Sequence, residues 1–376
     1  MNATLTKYVL ASALIFAAAA GAQEEPNVAM PRGTPTVEKI TAYLDELVDS
    51  LVARDQFSGT ILVAKDGQPV YKRAAGEACK WYHVPNKIDT KFCLGSMNKM
   101  FTSVAVAQLV EQGKLSYDDK IGQHLPDYPN QDVREKVTLH QLLTHTSGMG
   151  MYWEELFTNP EWPYIETVQD YDNLANQNPL LFEPGERFQY SNCGPLVVGL
   201  IIEKVSGMTY DDYIRTYVTG PAGMTNTDCY DIKDPVENIA IGYTKMTFDG
   251  SPLDDWIANL YLNPVKGGPA GGGYSTVEDL LKFDIALRDG KLLSEEYFNI
   301  ITTGKVDRDE TRGYAYYFED KTVNGERIIG HGGGAAGVNA NLAMFLRSGW
   351  TVAIMSNYDR GIMFLRGKTE ELLTRS

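Results

Sequence analysis

Residues 92–99 read Phe-Cys-Leu-Gly-Ser-Met-Asn-Lys, and the chain continues from there as an apolar helical stretch to residue 111. Ser96 would lie at the start of that helix, with its hydroxyl near the positive end of the helix dipole. Lys99 follows three residues later and lies on the same helical face, within reach of the hydroxyl. Partial burial would let such a lysine lose its proton and act as a base. The pair predicts a nucleophilic serine, although an N-capping serine beside an unrelated lysine gives the same pattern.

Strand-like segments flank this helical region at both ends of the chain. Apolar residues recur at helical spacing over residues 37–52, and two apolar runs at 59–64 and 69–75 are joined by Asp66-Gly67, which is a hairpin signal. The later strand-like runs are 314–319, 326–330, 339–345 and 350–357, and a short helix follows at 362–374. Strands at both ends therefore predict one antiparallel sheet that is built from both termini.

The predicted fold class is α/β (α+β), with an antiparallel sheet flanked by N- and C-terminal helices and an inserted, mostly helical domain. The sheet domain would comprise residues 35–92 and 305–376, and the inserted domain residues 93–304. Residues 93–99 would then lie at the boundary of the two parts. Because a cleft between two lobes is a natural ligand site, we expect the active site there.

The first 22 residues have the layout of a signal peptide. Lys7 precedes an apolar run at 8–20, and Ala20-Gly21-Ala22 provides small residues for cleavage. A membrane anchor is the alternative, but the run is shorter than the roughly 20 residues that cross a bilayer. We therefore expect an exported protein, periplasmic or secreted, with no membrane span after removal of 1–22.

Composition excludes several function classes. The chain of 376 residues has 34 Lys and Arg against 49 Asp and Glu, so its formal net charge is −15. Such a charge argues against nucleic-acid partners, which require positive surfaces. The four cysteines could be free thiols or disulfides, and no Cys or His spacing indicates zinc. We expect no metal and no cofactor, and the sequence leaves the oligomeric state open.

Two further segments could carry chemistry. In Tyr190-Ser191-Asn192 the phenol could relay a proton, and the amide could orient a substrate carbonyl. A helix cap with a packed tyrosine is the structural alternative. In the segment His331-Gly332-Gly333-Gly334, glycines beside a strand would let a substrate approach the backbone, and a free N–H could serve as an oxyanion donor. A glycine-rich loop with a packed histidine fits the same residues.

The order and spacing of these three motifs resemble those of the penicillin-recognising serine hydrolases. The resemblance is to the branch that contains class C β-lactamases, D-Ala-D-Ala carboxypeptidases, D-aminopeptidases and related esterases, and it covers about residues 36–375. The segments 142–148 (Leu-Leu-Thr-His-Thr-Ser-Gly), 183–185 (Glu-Pro-Gly) and 271–276 (Gly-Gly-Gly-Tyr-Ser-Thr) match this branch as well. Each motif alone is weak, but together they are specific.

The resemblance implies a β-lactamase/transpeptidase-like fold and an acyl-enzyme mechanism on a small-molecule or peptide substrate with an ester or amide carbonyl. Ser96 would be the nucleophile, and Lys99 and Tyr190 would share its proton, with either as the base. The N–H groups of Ser96 and Gly334 would form the oxyanion hole. The other substrate-binding residues would be Asn192, His331 and Gly333.

One motif departs from the β-lactamase pattern. His331-Gly332-Gly333 stands where β-lactamases have Lys-Thr-Gly. A lysine would supply a permanent cation for a substrate carboxylate, whereas an ordinary histidine becomes charged only near pH 6.5. We therefore expect a peptidase or esterase that turns over β-lactams poorly. The alternatives are a non-catalytic sensor or binding module on the same fold and a true β-lactamase.

Overall fold

The structure is a computed structural model that describes residues 25–247 and 251–375. The predicted signal peptide, residues 1–22, lies outside the described residues. The α-helices are α1 (Val37–Ala53), α2 (Asn98–Glu111), α3 (Ile121–His124), α4 (Gln131–Lys136), α5 (Leu139–Leu143), α6 (Trp153–Thr158), α7 (Val168–Asn173), α8 (Cys193–Ser206), α9 (Tyr210–Ile214), α10 (Gly220–Ala222), α11 (Val277–Arg288), α12 (Glu295–Thr302) and α13 (Met363–Leu373). No helix in these two ranges is long and apolar enough to cross a membrane.

The strands come mainly from the two ends of the chain. They are β1 (Gly59–Lys65), β2 (Gln68–Ala75), β3 (Glu77–Cys79), β4 (Val84–Pro85), β5 (Phe92–Cys93), β6 (Tyr243–Met246), β7 (Pro252–Ala258), β8 (Tyr274–Ser275), β9 (Val306–Asp307), β10 (Arg312–Tyr314), β11 (Glu319–Val323), β12 (Glu326–Ala335), β13 (Val338–Phe345) and β14 (Trp350–Ser356). Eight of them form one antiparallel sheet in the order β2-β1-β14-β13-β12-β11-β10-β9. The pairing of β1 with β14 joins the two ends of the chain, which confirms the predicted fold class.

Both faces of the sheet are buried. Side chains alternate along each strand, so successive residues lie on opposite faces. Val352 and Ile354 of β14 point to one face and pack with α1 and α13. Ala353 and Met355 point to the other face and pack with the helices of the middle of the chain. The terminal helices thus cover one face, and helices of the inserted region cover the other, with α11 in contact with β14 and β1. The exact boundaries of the two predicted domains remain a prediction.

The predicted strand at 314–319 is wrong. The structure ends β10 at Tyr314 and begins β11 at Glu319, and residues 315–318 form the turn between them. Tyr317 has a φ of +54°, which is incompatible with a strand, and its N–H donates to the carbonyl of Leu143. All four turn residues are buried, so the uninterrupted apolar run reflects a turn packed against the helices and not strand alternation.

Helix α1 depends on its apolar face for its contact with the sheet. Leu44 is completely buried there, whereas Val52 on the same helix is 37% exposed. Leu44→Ala should lower the free energy of unfolding by about 2–5 kcal/mol through lost transfer energy and a residual cavity. Val52→Ala, the matched control, should change it by less than about 0.5 kcal/mol. Urea denaturation of both variants measures the difference, and equal losses would contradict this packing.

Candidate active site

Ser96 lies in a single 3₁₀ turn, Gly95–Met97, that leads into α2. The serine is half-buried and lines a cavity of about 240 Å³. Two glycines make this position possible. Gly95 has a φ of +51°, and a Cβ on Gly333 would lie 1.8 Å from the carbonyl oxygen of Leu94. The backbone of β12 therefore approaches the serine turn more closely than any side chain would permit.

This close approach brings two backbone amides to the same wall of the cavity. A Cβ on Gly95 would lie only 2.9 Å from the nitrogen of Gly334, and one on Gly333 would lie 3.2 Å from the nitrogen of Ser96. Gly95, Ser96 and Gly334 all line the cavity. The N–H groups of Ser96 and Gly334 are thus neighbours, which is the arrangement that an oxyanion hole requires. Gly333 lies one residue before Gly334, and its lack of a side chain permits the close approach of the strand.

Lys99 is completely buried at the bottom of the site. Its Nζ donates to Ser96 Oγ at 3.3 Å, to Asn192 Oδ1 at 2.8 Å and to the carbonyl oxygen of Ala270. No carboxylate of the described residues lies within 4 Å of it, so nothing compensates a positive charge there. Burial consequently lowers the pKa of Lys99 well below its ordinary value.

If the Lys99 ammonium loses one proton, its Nζ can still form all three of these hydrogen bonds. The Asn192 amide oxygen and the Ala270 carbonyl can only accept, so they use the two N–H groups of a neutral amine. The lone pair of Nζ then points toward Ser96 Oγ, whose O–H becomes the donor. The geometry around the neutral lysine is therefore that of a base aimed at a serine hydroxyl.

Tyr190 and Asn192 reach the same site from the segment before α8. The Nζ of Lys99 lies 4.9 Å from the centre of the Tyr190 ring. The Tyr190 hydroxyl is buried and has no hydrogen-bond partner among the described residues. Burial raises the pKa of Tyr190 well above its ordinary value, and the nearby Ser96 side chain offsets part of that rise. The phenol therefore keeps its proton at neutral pH. Asn192 lines the cavity, and its Nδ2 is available to a substrate carbonyl.

His331 lies on β12 but not in the cavity wall. The imidazole is 4% exposed, its Nδ1 contacts the carbonyl oxygen of Gly332 at 2.5 Å, and its Nε2 contacts the Tyr314 hydroxyl at 2.9 Å. Burial lowers the pKa of His331 to about 4, and nearby Glu319 opposes this shift. An imidazole that is buried and neutral in this way cannot supply the cation that the sequence analysis expected near pH 6.5.

The sequence analysis did not predict several residues of the site. Ala270 contributes only a carbonyl, and Tyr314 lies in a segment that was predicted as a continuous strand. The apolar lining of the cavity comes from distant segments with no common motif, so no sequence signal could have assembled it. That lining includes Tyr152, Trp153, Tyr171, Leu196, Ile232, Val236, Ile239, Ile241, Leu260 and Val338. The four cysteines are free thiols in this structure.

Comparison with known proteins supports a single family. The family model described as Beta-lactamase matches residues 44–373. Penicillin-binding protein 4* of Bacillus subtilis is 32% identical over 331 residues, which are 84% of this chain and 71% of that protein. Esterase EstB of Burkholderia gladioli is 31% identical over 227 residues, 57% of this chain and 56% of that protein.

A solved structure agrees with the sequence matches. The crystal structure of a penicillin-binding protein from Bacillus halodurans superposes with a TM-score of 0.78 at 31% identity, and the match covers 90% of this chain and all of that one. Residues 44–373, which the family model matches, include the serine turn, the segment before α8 and strand β12. The chain therefore belongs to the Beta-lactamase family of serine hydrolases.

Proposed function

We propose that the protein is an exported serine hydrolase that cleaves neutral esters or amides through an acyl-enzyme intermediate. The observation that carries this proposal is the contact of Ser96 Oγ with the buried amine of Lys99 at the edge of the apolar cavity. A nucleophile, a base with a lowered pKa and two backbone N–H groups lie within one site, which is the set of groups that acyl transfer requires.

Acylation would start from the neutral form of Lys99. Its lone pair removes the proton of Ser96 as Oγ attacks the substrate carbonyl, and the carbonyl oxygen becomes an oxyanion. The N–H groups of Ser96 and Gly334 stabilise that negative charge. The ammonium ion that forms on Lys99 donates to the same three oxygens that contact Nζ in the structure. The proton therefore moves without a rearrangement of the side chains.

Tyr190 is better suited to give a proton than to take one. Its raised pKa makes the phenolate a rare species at neutral pH, whereas its buried hydroxyl has a proton to donate and no partner among the described side chains. The leaving group of the substrate could be that partner. We assign Tyr190 the protonation of the leaving group, after which the ammonium of Lys99, whose Nζ lies 4.9 Å from the centre of the Tyr190 ring, would return a proton to the phenolate.

The cavity favours an apolar acyl group without a carboxylate, since Asp231 and Asp234 are among its lining residues. Its wall is formed mostly by aromatic and aliphatic side chains. Lys266 is the only lysine or arginine that lines it in the described residues, and the Nζ of Lys266 lies 2.6 Å from Asp211. A substrate carboxylate would therefore lose its hydration without gaining an unpaired cation. The same reasoning disfavours β-lactams, which carry a carboxylate.

Export rests on the leader at residues 1–22. N-terminal sequencing of the protein recovered from the periplasm or medium of an expressing cell would test it, with a mature chain that begins near residue 23 as the expected result. Retention of the complete leader inside the cell would contradict export without affecting the proposed chemistry.

Replacement of the nucleophile should abolish turnover. Ser96→Ala removes the only atom that forms the covalent bond, so we expect kcat for a short-chain p-nitrophenyl ester to fall by about 10⁴- to 10⁶-fold. A fluorophosphonate should add its mass to the peptide that contains Ser96 in the unmodified protein. The matched control is Ser116→Ala, at an exposed serine remote from the cavity, which should keep full activity. An adduct on Ser147 or Ser275 would contradict the assignment.

The ability of Lys99 to lose its proton should matter more than a positive charge at this position. Lys99→Arg keeps a cation, but guanidinium does not release its proton at working pH. We expect Lys99→Arg to lower kcat/KM nearly as much as Lys99→Ala does. In the unmodified protein kcat/KM should fall as the pH drops through the lowered pKa of Lys99, because protonation removes the base. If Lys99→Arg keeps most of the activity, Lys99 acts only through its charge.

The pKa of His331 fixes the pH range in which it could help a carboxylate substrate. That imidazole is protonated only below about pH 4, so it is neutral from pH 8 to pH 5.5. We expect the ratio of kcat/KM for a carboxylate ester to that for its neutral methyl ester to stay constant over this range and to favour the neutral ester. The ratio removes the common effect of Lys99. A rise in the ratio near pH 6.5 would show that His331 binds the carboxylate.

A further inference from the structure

His145 has an unusual backbone and a buried side chain close to the active site. It belongs to the 142–148 segment, follows the short helix α5 and has a φ of +57°, a conformation that few residues other than glycine adopt. The side chain is completely buried. Strained residues of this kind persist where the surrounding structure requires them, often at functional sites. The mechanism described above gives His145 no role.

The hydrogen bonds of His145 fix which nitrogen carries the proton. The backbone N–H of Ser191 donates to Nδ1 at 3.2 Å, so Nδ1 must be the unprotonated nitrogen. The other nitrogen, Nε2, lies 3.1 Å from the hydroxyl of Tyr314. A neutral imidazole with a free Nδ1 carries its proton on Nε2, and therefore donates to the Tyr314 oxygen.

The hydrogen bonds of His331 fix the same direction of donation, from His145 through Tyr314 to His331. The carbonyl oxygen of Gly332 can only accept, so Nδ1 of His331 is the donor. A neutral imidazole then has a free Nε2, which accepts from the Tyr314 hydroxyl at 2.9 Å. Tyr314 thus accepts from His145 and donates to His331. Both ends are set by backbone groups that cannot exchange roles, so the whole chain of hydrogen bonds has one direction.

Neither histidine is able to leave this neutral state easily. Burial lowers the pKa of His145 well below its ordinary value, and repulsion by the protonated forms of Lys99, His331 and Arg308 lowers it further. The pKa of His331 is lowered by burial as well. A second proton on either ring would also oppose a donor that is already in place.

The two ends of this series of hydrogen bonds contact two segments near the catalytic serine, namely the segment before α8 and strand β12. Ser191 lies between Tyr190 and Asn192, and the ring of His145 packs against that of Tyr190 with centroids 4.3 Å apart. Gly332 lies on β12 two residues before Gly334, whose N–H belongs to the oxyanion hole. The relay therefore connects the segment that delivers a proton with the strand that stabilises negative charge.

We propose that His145, Tyr314 and His331 form a neutral hydrogen-bond relay that positions Tyr190 and the backbone of Gly332–Gly334 relative to Ser96. The three are positioning residues, since none of them lines the cavity. The proposal rests on the proposed function, because positioning for acylation has meaning only if Ser96 is acylated. It assigns His331 a role within the protein, in place of the contact with substrate that the family resemblance implied.

Tyr314→Phe tests the relay with little change in packing. The substitution removes the one hydroxyl that serves both histidines and keeps the aromatic ring against Phe188 and His145. The matched control is Tyr316→Phe, which removes a buried hydroxyl that contacts Nδ1 of His140 at 2.8 Å, outside the relay. Thermal unfolding of both variants establishes that they are folded before kinetics are compared.

We expect Tyr314→Phe to lower kcat for a neutral ester, and its rate of fluorophosphonate labelling, by about 10- to 100-fold, because small misplacements of catalytic groups have effects of this size. KM should stay within about threefold, since the cavity is unchanged. Tyr316→Phe should retain both rates. A loss of stability without misplacement would leave kcat of the folded protein intact.

Nitrogen NMR of the protein labelled with ¹⁵N-histidine at pH 7 gives a second, independent readout. The relay requires a proton on Nε2 of His145 and on Nδ1 of His331, the latter being the tautomer that free histidine favours less. Signals are assigned with His145→Gln and His331→Gln among the five histidines of the chain. In Tyr314→Phe both tautomers should persist, because Ser191 and Gly332 still set them, while the Nε2 signals of both histidines should shift as they lose their common partner.

The outcomes separate the two proposals. If the unmodified protein is not labelled by fluorophosphonate, the proposed function fails, and the catalytic role of the relay fails with it. If it is labelled and Tyr314→Phe reacts at the same rate, the relay proposal alone is overturned. A proton on Nε2 of His331 at pH 7 would also overturn it, because the direction of the chain would then be different.

Discussion

The amine of Lys99 is fully enclosed by Ser96 Oγ, Asn192 Oδ1 and the Ala270 carbonyl oxygen, and no carboxylate of the described chain balances its charge. A group with these surroundings favours the neutral form, because an unpaired charge in a dry interior is expensive. The rest of the structure can be understood from this requirement. Uncharged oxygens surround the Lys99 nitrogen and exclude water from it. They are held there by the sheet, by the helices of the middle of the chain and by the glycine segments.

The sheet provides this enclosure because it is buried on both faces. The serine turn and the start of helix α2 place Ser96 and Lys99 on one face, and β12 passes this turn with glycines where any side chain would collide. A strand with ordinary side chains at 333 would push the oxyanion donor away from the nucleophile. The glycine segment of β12 is held in that approach by its pairing with β13, while β11 pairs with the earlier part of β12, from Glu326 to Gly330. Precision at the site is thus a property of the sheet and not of a flexible loop.

The fold class and the order of the motifs were predictable from the sequence, because both depend on local patterns. Alternating apolar runs indicated the strands of the two ends, and Asp66-Gly67 marked a hairpin as the structure has it. The turn at 315–318 was not predictable, since its burial comes from distant helices. The same applies to the partners of His331. A lone histidine in a glycine-rich strand carries no sequence signal that its two nitrogens are occupied by Gly332 and Tyr314.

Burial shifts the pKa values of Lys99, Tyr190 and the groups of the relay toward their neutral forms. Lys99 and the two histidines have lowered pKa values, and Tyr190 and Tyr314 have raised ones, in every case chiefly because of burial. The negative charge of the oxyanion and the positive charge on Lys99 are then the only new charges that the reaction creates there, and they arise together within a few ångströms. In a medium of low polarity their mutual attraction is large, so the burial that favours a neutral Lys99 also lowers the barrier. Neutrality of the resting site and stabilisation of the transition state therefore have one physical origin.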